Sequence, residues 1–438
     1  EVVVGGEHLK GATNALVTGR GVSVDVLQYV KPLTKKERND LRKSMGDIQK
    51  ARQKASREAE RKNGKSRSAK GGRKPTPVVM ADMEPDAWPA DPRELDLKNM
   101  SGSDLKALKE RLFNPKKQPN AQIDARVVLS VSISAKAKPG PREFRLLTAG
   151  GLSNPMVLRV GDFSEHNELE PNDEEGALVG DLPIVLNGQI MPGDVDRFRF
   201  RAKQGQRIVA SARARSLIPY LADAVPGWFQ AALALYDAEG RELAFVDDNR
   251  FDPDPILRYE IPQDGEYELL IRDAIYRGRE DFVYRISMGE LPFVEALFPL
   301  GGRRGAATEV AVEGWNLPED HVAVKTRWSG PCIRHMAIPA LGGGANRIAF
   351  AADSLSELLD KEPNNIQGSA QPVTLPIAIN GRIQRPGDWD VFRFEGKQGD
   401  QVVAEVFARR LNSPVDSILR LTDAAGNVLA VNDDSRDD

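Results

Sequence analysis

Two distant stretches of this chain carry the same long motif, and this internal repeat constrains the fold more strongly than any other feature. Residues 168–200 begin with Glu-Leu-Glu-Pro-Asn-Asp and end with Pro-Gly-Asp-x-Asp-x-Phe-x-Phe; residues 360–394 begin with Asp-Lys-Glu-Pro-Asn-Asn and share that ending. Both copies also contain Asn-Gly-x-Ile between the two ends. The same order of residues over such a length is typical of repeated structural units, so the sequence predicts a duplicated domain.

Oxygen-bearing side chains recur at matched positions of the motif. Glu168 and Glu170 are two residues apart, so an extended backbone presents both carboxylates on one face. The Asn-Gly dipeptide at 187–188 predicts a tight hairpin turn. If the acidic segment lies over the later turn that carries Asp194 and Asp196, these side chains converge. The predicted site residues are Glu168, Glu170, Asn172, Asp173, Asp194 and Asp196 in the first copy, and Asp360, Glu362, Asn364, Asn365, Asp388 and Asp390 in the second.

Such a cluster of oxygen atoms predicts a site for a hard cation, and calcium is the expected one. Calcium takes roughly six to eight oxygen ligands, with carboxylate and amide oxygens among them. The second copy keeps an oxygen-bearing residue at every position of the set, with Asn365 in place of Asp173. Asp, Asn, Gly and Pro are also the ordinary residues of turns. Solvated turn chemistry therefore remains an alternative interpretation of the same motif.

The combined motif resembles the bacterial pre-peptidase C-terminal (PPC) domain. The resemblance includes a Gly-x-Tyr-x-Leu-x-Ile-x-Asp strand at 265–273, and it covers residues 166–289 well and 358–438 in part. This family is a small β-sandwich attached to secreted peptidases and other large extracellular proteins, and the collagen-binding domain of clostridial collagenase is a relative. There the acidic lead-in and the aspartates before the Phe strand bind calcium. The resemblance implies calcium ligands at the positions named above, with a weaker second site because Asn365 replaces an aspartate.

The segments around the two copies predict further β modules. Residues 1–9 and 309–317 share the pattern Glu-Val-x-Val-x-Gly-x-x-Leu, and apolar residues alternate at 127–133. These strands are similar to the immunoglobulin-like (IPT/TIG-like) modules of bacterial surface proteins. We expect a mainly β protein of tandem β-sandwich domains, immunoglobulin-like and PPC/jelly-roll-like, with an inserted basic α-helical hairpin. The expected domains are 1–163 (immunoglobulin-like, first strand missing, insertion at about 31–122), 164–291 (PPC-like), 292–357 (immunoglobulin-like) and 358–438 (PPC-like, truncated).

The insertion has helical patterning and a strong positive charge. Thr34 and Glu37 form a capping box, and Leu41, Met45 and Ile48 lie on one helical face. A second helix is predicted to be capped by Ser103. Residues 31–75 carry 17 of the 61 Lys and Arg residues and 5 of the 64 Asp and Glu residues, so the rest of the chain is acidic. The basic segment could bind nucleic acid or an anionic wall polymer, but it lacks aromatic residues that would stack on bases. A solvated linker is the favoured interpretation.

The sequence offers no catalytic motif. Its four histidines, His8, His166, His321 and His335, are scattered, and none belongs to a zinc-binding His-Glu-x-x-His pattern or accompanies a Gly-x-Ser-x-Gly elbow. His166 is close to the acidic segment, where a solvated linker position is expected. The single cysteine, Cys332, excludes an intrachain disulfide and is expected to be a small core residue. The sequence therefore predicts a region that is not an enzyme.

These observations predict a non-catalytic part of a large exported bacterial protein. The chain begins inside a strand-like run and ends inside the second repeat, which predicts an internal fragment. No apolar run approaches the roughly 18 residues of a membrane helix. The expected role is adhesion, display or substrate binding in the extracytoplasmic space, with an extracellular protein, glycan polymer or cell-wall component as partner. One alternative is an accessory region of a secreted peptidase or other hydrolase with its catalytic domain elsewhere. Another is binding of an anionic polymer, with nucleic acid disfavoured, through the basic insertion.

Overall fold

A computed structural model shows a mainly β protein, which confirms the predicted class. It describes residues 1–66, 91–113, 123–170, 172–217, 229–326, 332–342 and 345–434. Within these ranges the chain forms two α-helices and 29 β-strands. Neither of these helices is long and apolar enough to cross a membrane.

The first part of the chain forms two small sheets around one core. Its strands are β1 (Val2–Gly6), β2 (Asn14–Val17), β3 (Val22–Val30), β4 (Ala125–Ile133), β5 (Gly140–Thr148), β6 (Gly151–Leu152) and β7 (Met156–Val160). One sheet has the order β1-β4-β3, and the other has the order β2-β5-β6 with β7 also paired to β5. Alternate residues such as Leu129 and Leu146 are fully buried in the shared core, as expected for strands with one apolar face.

The two helices lie between the paired strands β3 and β4, within the insertion predicted from the sequence. They are α1 (Lys35–Ser66) and α2 (Gly102–Phe113), with a short 3-10 turn at Pro92–Glu94. The capping box of α1 is confirmed, because the Thr34 amide donates to Glu37 Oε2 over 2.8 Å and the Glu37 amide donates to Thr34 Oγ1 over 3.2 Å. Met45 of α1 packs on Leu105 and Leu108 of α2.

The predicted cap of the second helix was wrong. Ser101, not Ser103, caps α2: the Asp104 amide donates to Ser101 Oγ over 2.9 Å, and the Ser101 amide donates to Asp104 Oδ2 over 3.2 Å. Ser103 lies in the first turn and contacts the Ser101 hydroxyl. Two serines separated by one residue present the same capping chemistry, and the acidic residue three positions after Ser101 decides between them. Much of the basic tip predicted between the helices lies outside the described residues.

The first copy of the motif belongs to a pair of five-stranded sheets. The strands are β8 (Ser164–Asn167), β9 (Ala177–Leu178), β10 (Ile184–Gln189), β11 (Asp196–Ala202), β12 (Arg207–Arg213), β13 (Ala231–Asp237), β14 (Glu242–Val246), β15 (Ile256–Glu260), β16 (Gly265–Asp273) and β17 (Val283–Gly289). A 3-10 turn spans Arg215–Leu217. The sheet orders are β15-β12-β17-β10-β8 and β14-β13-β16-β11-β9. One core joins the two sheets, with Phe198, Phe200 and Ile286 fully buried; each such side chain contributes about 1.5–3 kcal/mol on burial.

The hairpin predicted at 187–188 was wrong. Asn187 and Gly188 lie inside β10, where they pair with Arg285 and Tyr284 of β17. A Cβ atom at Gly188 would collide with the side chains of Glu168 and Tyr284. This glycine therefore permits a close approach to the backbone in the middle of a ladder, and the Asn-Gly pair is not a turn.

Between the two copies lies a second small two-sheet unit. Its strands are β18 (Phe293–Phe298), β19 (Gly301–Arg303), β20 (Ala307–Trp315), β21 (His321–Lys325), β22 (Ile333–Met336) and β23 (Ile348–Asp353), with a 3-10 turn at Pro339–Leu341. The sheet orders are β18-β20-β21 and β19-β23-β22. Val310 and Phe350 are fully buried in the core between these sheets.

The second copy repeats the pairings of the first around the motif. Its strands are β24 (Ser356–Leu359), β25 (Gln371–Pro372), β26 (Ile377–Asn380), β27 (Phe392–Arg393), β28 (Leu419–Thr422) and β29 (Val428–Asn432), with 3-10 turns at Gln367–Ser369 and Arg409–Leu411. The parallel pairs β24-β26 and β25-β27 match β8-β10 and β9-β11. Among the described residues no strand takes the central places that β16 and β17 occupy in the first copy. Apolar residues such as Val403 and Leu429 are consequently exposed. The tandem arrangement of sandwich domains and the domain boundaries stay predictions.

Candidate functional site: two buried clusters of oxygen atoms

The first cluster lies at one end of the core, where β10 and β11 approach each other from opposite sheets. Carboxylate oxygens of Glu170, Asp194 and Asp196 lie within 4.8 Å of one another. Asp194 is 6% exposed and Asp196 is fully buried, whereas Glu170 is exposed. The acidic segment after β8 therefore lies over the turn before β11, as the motif predicted. Burial of Asp196 differs from the solvated turn of the alternative interpretation.

Glu168 and Tyr284 form the wall of this cluster. The Tyr284 hydroxyl lies 2.5 Å from Asp196 Oδ2 and 3.1 Å from Glu168 Oε2, and it donates to this pair of carboxylates. The Gln189 amide donates to Glu168 Oε1 over 2.8 Å. Gly188 leaves the space for these contacts, because any larger residue there would overlap Glu168 and Tyr284.

Asn172 places its amide group among the carboxylates. Its side chain is 2% exposed, and its backbone amide donates to Glu170 Oε2 over 3.2 Å. The side-chain oxygen lies 3.3 Å from Glu170 Oε2 and 3.1 Å from Asp196 Oδ1, so an acceptor faces two acceptors. Rotation of the amide would turn both contacts into hydrogen bonds. In the present orientation the three oxygens suit a cation held between them.

Asp194 and Asp173 fix the shape of the turn before β11. The Met191 amide donates to Asp194 Oδ2 over 2.9 Å, and the Val195 amide donates to Asp173 Oδ1 over 3.1 Å. These bonds leave Asp194 with a second oxygen directed to the cluster, while Asp173 is exposed and ties the acidic segment to the turn. The main role of Asp173 is therefore to hold the acidic segment against the backbone of the turn.

The cluster concentrates negative charge in a buried place. Burial raises the pKa of Glu168, Asp194 and Asp196 above the ordinary carboxyl range, and repulsion between the neighbouring carboxylates raises the pKa values of both aspartates further. Burial and the same carboxylates raise the pKa of Tyr284 well above its usual value. Within the described part of the chain no Lys or Arg forms an ion pair with Asp194 or Asp196. Buried carboxylates close together cannot all ionise without a counter-charge.

The second copy builds a related cluster from a partly different set of positions, with the equivalent of Glu168 in it and the equivalent of Asp194 outside it. Oxygens of Asp360, Glu362 and Asp390 lie within 4.8 Å of one another. The Asn364 amide donates to Glu362 Oε2 over 2.8 Å, and the Trp389 amide donates to Asn365 Oδ1 over 3.1 Å. Both bonds match those of the first copy. The repeated sequence therefore produces a repeated local geometry.

Asp388 completes the turn of the second copy. The Gln384 amide donates to Asp388 Oδ2 over 2.7 Å, in the place of the bond between Met191 and Asp194 in the first copy. The Asp388 carboxylate is outside the group of three that converge, so it is a turn-forming residue here. The structure thus brings together only part of each predicted set.

Two buried oxygens of the second cluster have no hydrogen-bond partner. They are Asn364 Oδ1 and Asp390 Oδ1, and Asn364 is fully buried. The Asn364 amide nitrogen donates to Asp360 Oδ1 over 2.5 Å, which leaves its oxygen directed into the cluster. Buried acceptors without a partner are rare in native proteins, and they often lie beside a bound ion or water. These atoms fit a hard cation that takes oxygen ligands.

Sequence reasoning missed several features of the first cluster. Tyr284 lies in β17, far along the chain, and an aromatic residue in an alternating strand carries no local sign of this contact. Gly188 was the available indication, since a glycine inside a strand pattern indicates a close approach. His166, predicted to be a solvated linker residue, instead lies in β8 with its ring 6.3 Å from Phe198 in an edge-on contact, and its Nε2 is buried without a partner.

Comparisons with known proteins give limited matches. No protein-family model matches the sequence. A probable subtilase-type serine protease of Deinococcus radiodurans is 39% identical over 77 residues, which cover 17% of this chain and 11% of that relative. The chain therefore spans only a small part of the length of this curated relative.

Solved structures give matches of the same limited kind. The pre-peptidase C-terminal domain of a collagenase from Bacillus anthracis matches over 98% of its length and 30% of this chain, with 12% identity and a TM-score of 0.18. A secreted serine protease from Vibrio cholerae matches over 35% of its length and 38% of this chain, with 10% identity and a TM-score of 0.18. The chain is thus similar over 77 residues to a probable subtilase-type serine protease, and no match is extensive enough to assign it to a family.

Proposed function

We propose that this chain is a non-catalytic, calcium-stabilised accessory region of an exported bacterial protein. The observation that carries the proposal is the duplicated cluster of oxygen atoms: among the described residues no Lys or Arg pairs with the buried Asp194 and Asp196 of one copy, and two buried acceptors of the other copy have no partner. A buried charge of this kind is tolerated when it is paired or when it binds a metal. Calcium supplies the missing positive charge.

In the first copy, Glu170, Asp194, Asp196 and the amide oxygen of Asn172 would hold the ion. Glu168 is held by Gln189 and Tyr284 and adds a further oxygen at the wall. In the second copy the ligands would be Asp360, Glu362, Asp390 and Asn364, with Asp360 at the position of Glu168. These ligand atoms come from the acidic segment and from the turn before the Phe strand, which are separate in sequence, so the ion would fasten one to the other at the entrance of each β unit.

The architecture we propose is a tandem of β-sandwich domains. The PPC-like units would span 164–291 and 358–438, and the immunoglobulin-like units would span 1–163 and 292–357. The matched parallel pairings of the two copies support the duplication. The two small sheet pairs outside the copies, each with its own core, support separate modules.

The parent protein would be a secreted peptidase or a related hydrolase. The identity of 39% over 77 residues to a probable subtilase-type serine protease supports this choice. In such a protein these modules would lie in the extracytoplasmic space and would present the catalytic part to a protein or glycan polymer. Adhesion to a cell-wall component, without an enzyme in the parent chain, is the competing role of the same modules.

A thermal melt of the whole chain with calcium and with excess chelator tests the calcium proposal. Ligand binding to the folded form alone stabilises by about 2.7 kcal/mol at a hundredfold excess over the dissociation constant. We expect calcium to raise the melting temperature, and we expect Asp194→Ala with Asp196→Ala to abolish the rise attributable to the first copy.

A matched control and a conservative variant keep this test sharp. Asp162 and Asp181 are exposed aspartates of the same region, so replacing both by Ala removes equal charge and leaves the calcium response intact. Asp196→Asn keeps the shape of the side chain and removes only its charge. A calcium response that is unchanged in both the double variant and Asp196→Asn would remove the first site from the account.

A further inference from the structure

A second charged feature lies on the outer face of the sheet β15-β12-β17-β10-β8, away from the acidic clusters. Strands β12 and β17 are antiparallel neighbours, and Arg213 lies directly opposite Arg285 in their register. Their neighbours Ala212 and Ile286 are buried in the core. Because side chains alternate along a strand, Arg213 and Arg285 both point to the outer face. Two like charges directly opposite each other destabilise a sheet unless another group compensates them.

Only one of these two arginines has its charge neutralised by a direct ion pair. Arg285 forms a bidentate pair with Glu165, with both nitrogen–oxygen distances at 2.7 Å, and it also donates to Asn187. Arg213 is half-buried, and its guanidinium makes no hydrogen bond or ion pair with any described residue. The pair therefore presents one compensated and one uncompensated guanidinium on the same face.

A third arginine approaches from β7. Arg159 is half-buried, and its Nε atom is buried without a hydrogen-bond partner. Burial, together with repulsion from Arg213, Arg285 and Arg347, lowers the pKa of Arg159 to about 10. The chain just after β7 passes close to Arg285, since a Cβ atom at Gly161 would lie 3.2 Å from its Nη2. Three guanidinium groups from three strands thus converge where the first β unit meets the five-stranded sheet.

The nearby carboxylates compensate this charge from a distance. Asp254 attracts both Arg159 and Arg213, and Asp252 attracts Arg213. The two oxygens of Asp254 accept backbone amides of residues 214–216 at 2.8–3.1 Å, which orients the carboxylate toward the chain after β12. No ion pair joins Arg159 or Arg213 to a carboxylate within the described residues. Their hydrogen-bonding edges therefore remain available.

The strands also supply neutral donors beside the arginines. Ser211 and Ser287 are opposite each other one step along the same outer face, and both are half-buried. One further step brings the apolar contact of Val209 with Leu291 and Phe293, which covers the sheet there. Along the outer face, the apolar contact of Val209 is therefore followed by the two serine hydroxyls and then by the arginine side chains.

We propose that this face binds a divalent oxyanion, a phosphate or sulfate group, between Arg159 and Arg213, with Arg285, Ser211 and Ser287 beside it. A guanidinium fork donates two parallel hydrogen bonds to such a group, and the hydroxyls add donors of suitable geometry. A bound oxyanion would also place negative charge in direct contact with Arg213, which has no direct ion pair among the described residues. The site uses none of the residues of the calcium proposal.

Calorimetric titration of the whole chain with sodium sulfate, at ionic strength matched with sodium chloride, tests the proposal. We expect saturable sulfate binding with and without calcium, so that its outcome is separate from that of the calcium clusters. Arg213→Gln and Arg159→Gln should each weaken binding at least tenfold. Arg213→Lys keeps the charge but loses the fork, and it should give an intermediate affinity. Arg201, an exposed arginine of β11, provides the control: Arg201→Gln should bind sulfate like the unmodified chain.

Melting curves separate a binding role from a purely structural one. In sulfate-free buffer Arg213→Gln should melt close to the unmodified chain, because the lost attraction to Asp252 and Asp254 offsets the lost repulsion from Arg285, and it should lose the sulfate-dependent rise. The bound group could be a free phosphate ion or a phosphate ester on a larger molecule, and titration of a metal-free sample with inorganic phosphate and with glycerol phosphate distinguishes these two ligands. Tighter binding of glycerol phosphate indicates an ester. Equal or weaker binding of glycerol phosphate indicates the free ion. Absence of saturable binding of sulfate and phosphate, or equal binding by Arg213→Gln and Arg201→Gln, would overturn the proposal.

Discussion

The two copies of the motif build the same hydrogen bonds in different surroundings. In both, the acidic segment and the following turn are tied by matching hydrogen bonds, which Asp173 accepts from the Val195 amide and Asn365 accepts from the Trp389 amide. The first cluster is covered by β17, whose Tyr284 donates to Asp196, and Asp196 is fully buried. No described strand has that place in the second copy, and Asp390 is only half-buried. The motif therefore fixes local geometry, while the surrounding strands fix burial and charge.

The largest expected difference between the copies is in their dependence on pH. In the calcium-free protein, burial and repulsion from Asp196 raise the pKa of Asp194 to about 8, and burial with repulsion from neighbouring acids raises the pKa of Asp390 to about 6. Unfolded aspartates titrate near 4. Above about pH 4 the folded form therefore keeps protons that the unfolded form loses. The contribution of these aspartates to the free energy of unfolding is greatest below about pH 4, and it falls as the pH rises toward their folded pKa values. Each retained proton corresponds to about 1.4 kcal/mol per pH unit.

Urea unfolding at pH 5, 6.5 and 8, with chelator present, measures this dependence. The loss should continue through pH 8 in the unmodified chain, because burial and the neighbouring acids also raise the pKa of Asp196, to about 10. Asp194→Asn should reduce the loss between pH 6 and 8, and the part due to Asp196 should remain. Asp390→Asn should change only the part below pH 6, and by less, because solvent screens a half-exposed group. A calcium-free stability that is constant or rising between pH 5 and 8 would contradict the assigned burial of the first cluster.

Replacing the matched glycines should separate the copies next. Gly188→Ala places a methyl group against Glu168 and Tyr284, and such overpacking costs about 1–3 kcal/mol. At Gly381 the new methyl would meet Asp390 Oδ2 at 2.7 Å, the end of a half-exposed side chain that can move. We expect Gly381→Ala to cost less than half as much, measured by urea unfolding. Equal costs would show that the two backbones are equally crowded.

Removing the hydroxyl of Tyr284 tests the contact that only the first copy has. Hydrogen bonds to charged groups contribute about 1.5–3 kcal/mol, so Tyr284→Phe should lower stability by about 1.5 kcal/mol. Tyr236→Phe is the matched control, because its hydroxyl donates to the exposed Glu242 over 3.0 Å and solvent replaces that bond. Equal losses in the two variants, from chemical denaturation, would mean that Tyr284 is a packing residue only.

The smallest expected effect comes from exchanging the only one of the six matched site residues that differs in charge between the copies. Asp173 and Asn365 accept the same backbone hydrogen bond, at 3.1 Å in each case. Calcium affinity rises with the negative charge near the ion. Asn365→Asp should therefore strengthen calcium binding at the second copy severalfold, and Asp173→Asn should weaken it at the first by a similar factor. Calcium titrations of the two variants measure these affinities. Weaker binding by Asn365→Asp, or stronger binding by Asp173→Asn, would exclude a charge effect.

Much of the site could be predicted from the sequence because the motif is local. The pattern of Glu170, Asp194 and Asp196, repeated in the second copy, indicated an oxygen cluster on the condition that the acidic segment lies over the turn before the Phe strand. The capping box of Thr34 was predictable for the same reason. Contacts within a few residues follow from backbone geometry and side-chain chemistry.

The rest depends on contacts between residues far apart in the chain. Asn187 and Gly188 have the chemistry of a hairpin, yet pairing with β17 on one side and β8 on the other keeps them in a strand. Tyr284 reaches the cluster only because β17 lies beside β10. Opposition of Arg213 and Arg285 likewise exists only in the register of the folded sheet. Tertiary pairing overrides local preference at each of these places.

Calcium titration calorimetry of the whole chain, combined with Asp196→Asn and Asp390→Asn, tests the central claim most directly. We expect two calcium-binding events of unequal strength. The tighter event should be lost in Asp196→Asn, and the weaker one should be lost in Asp390→Asn. Absence of calcium binding, or two unchanged events in both variants, would contradict the central claim and leave the duplicated motif as turn structure alone.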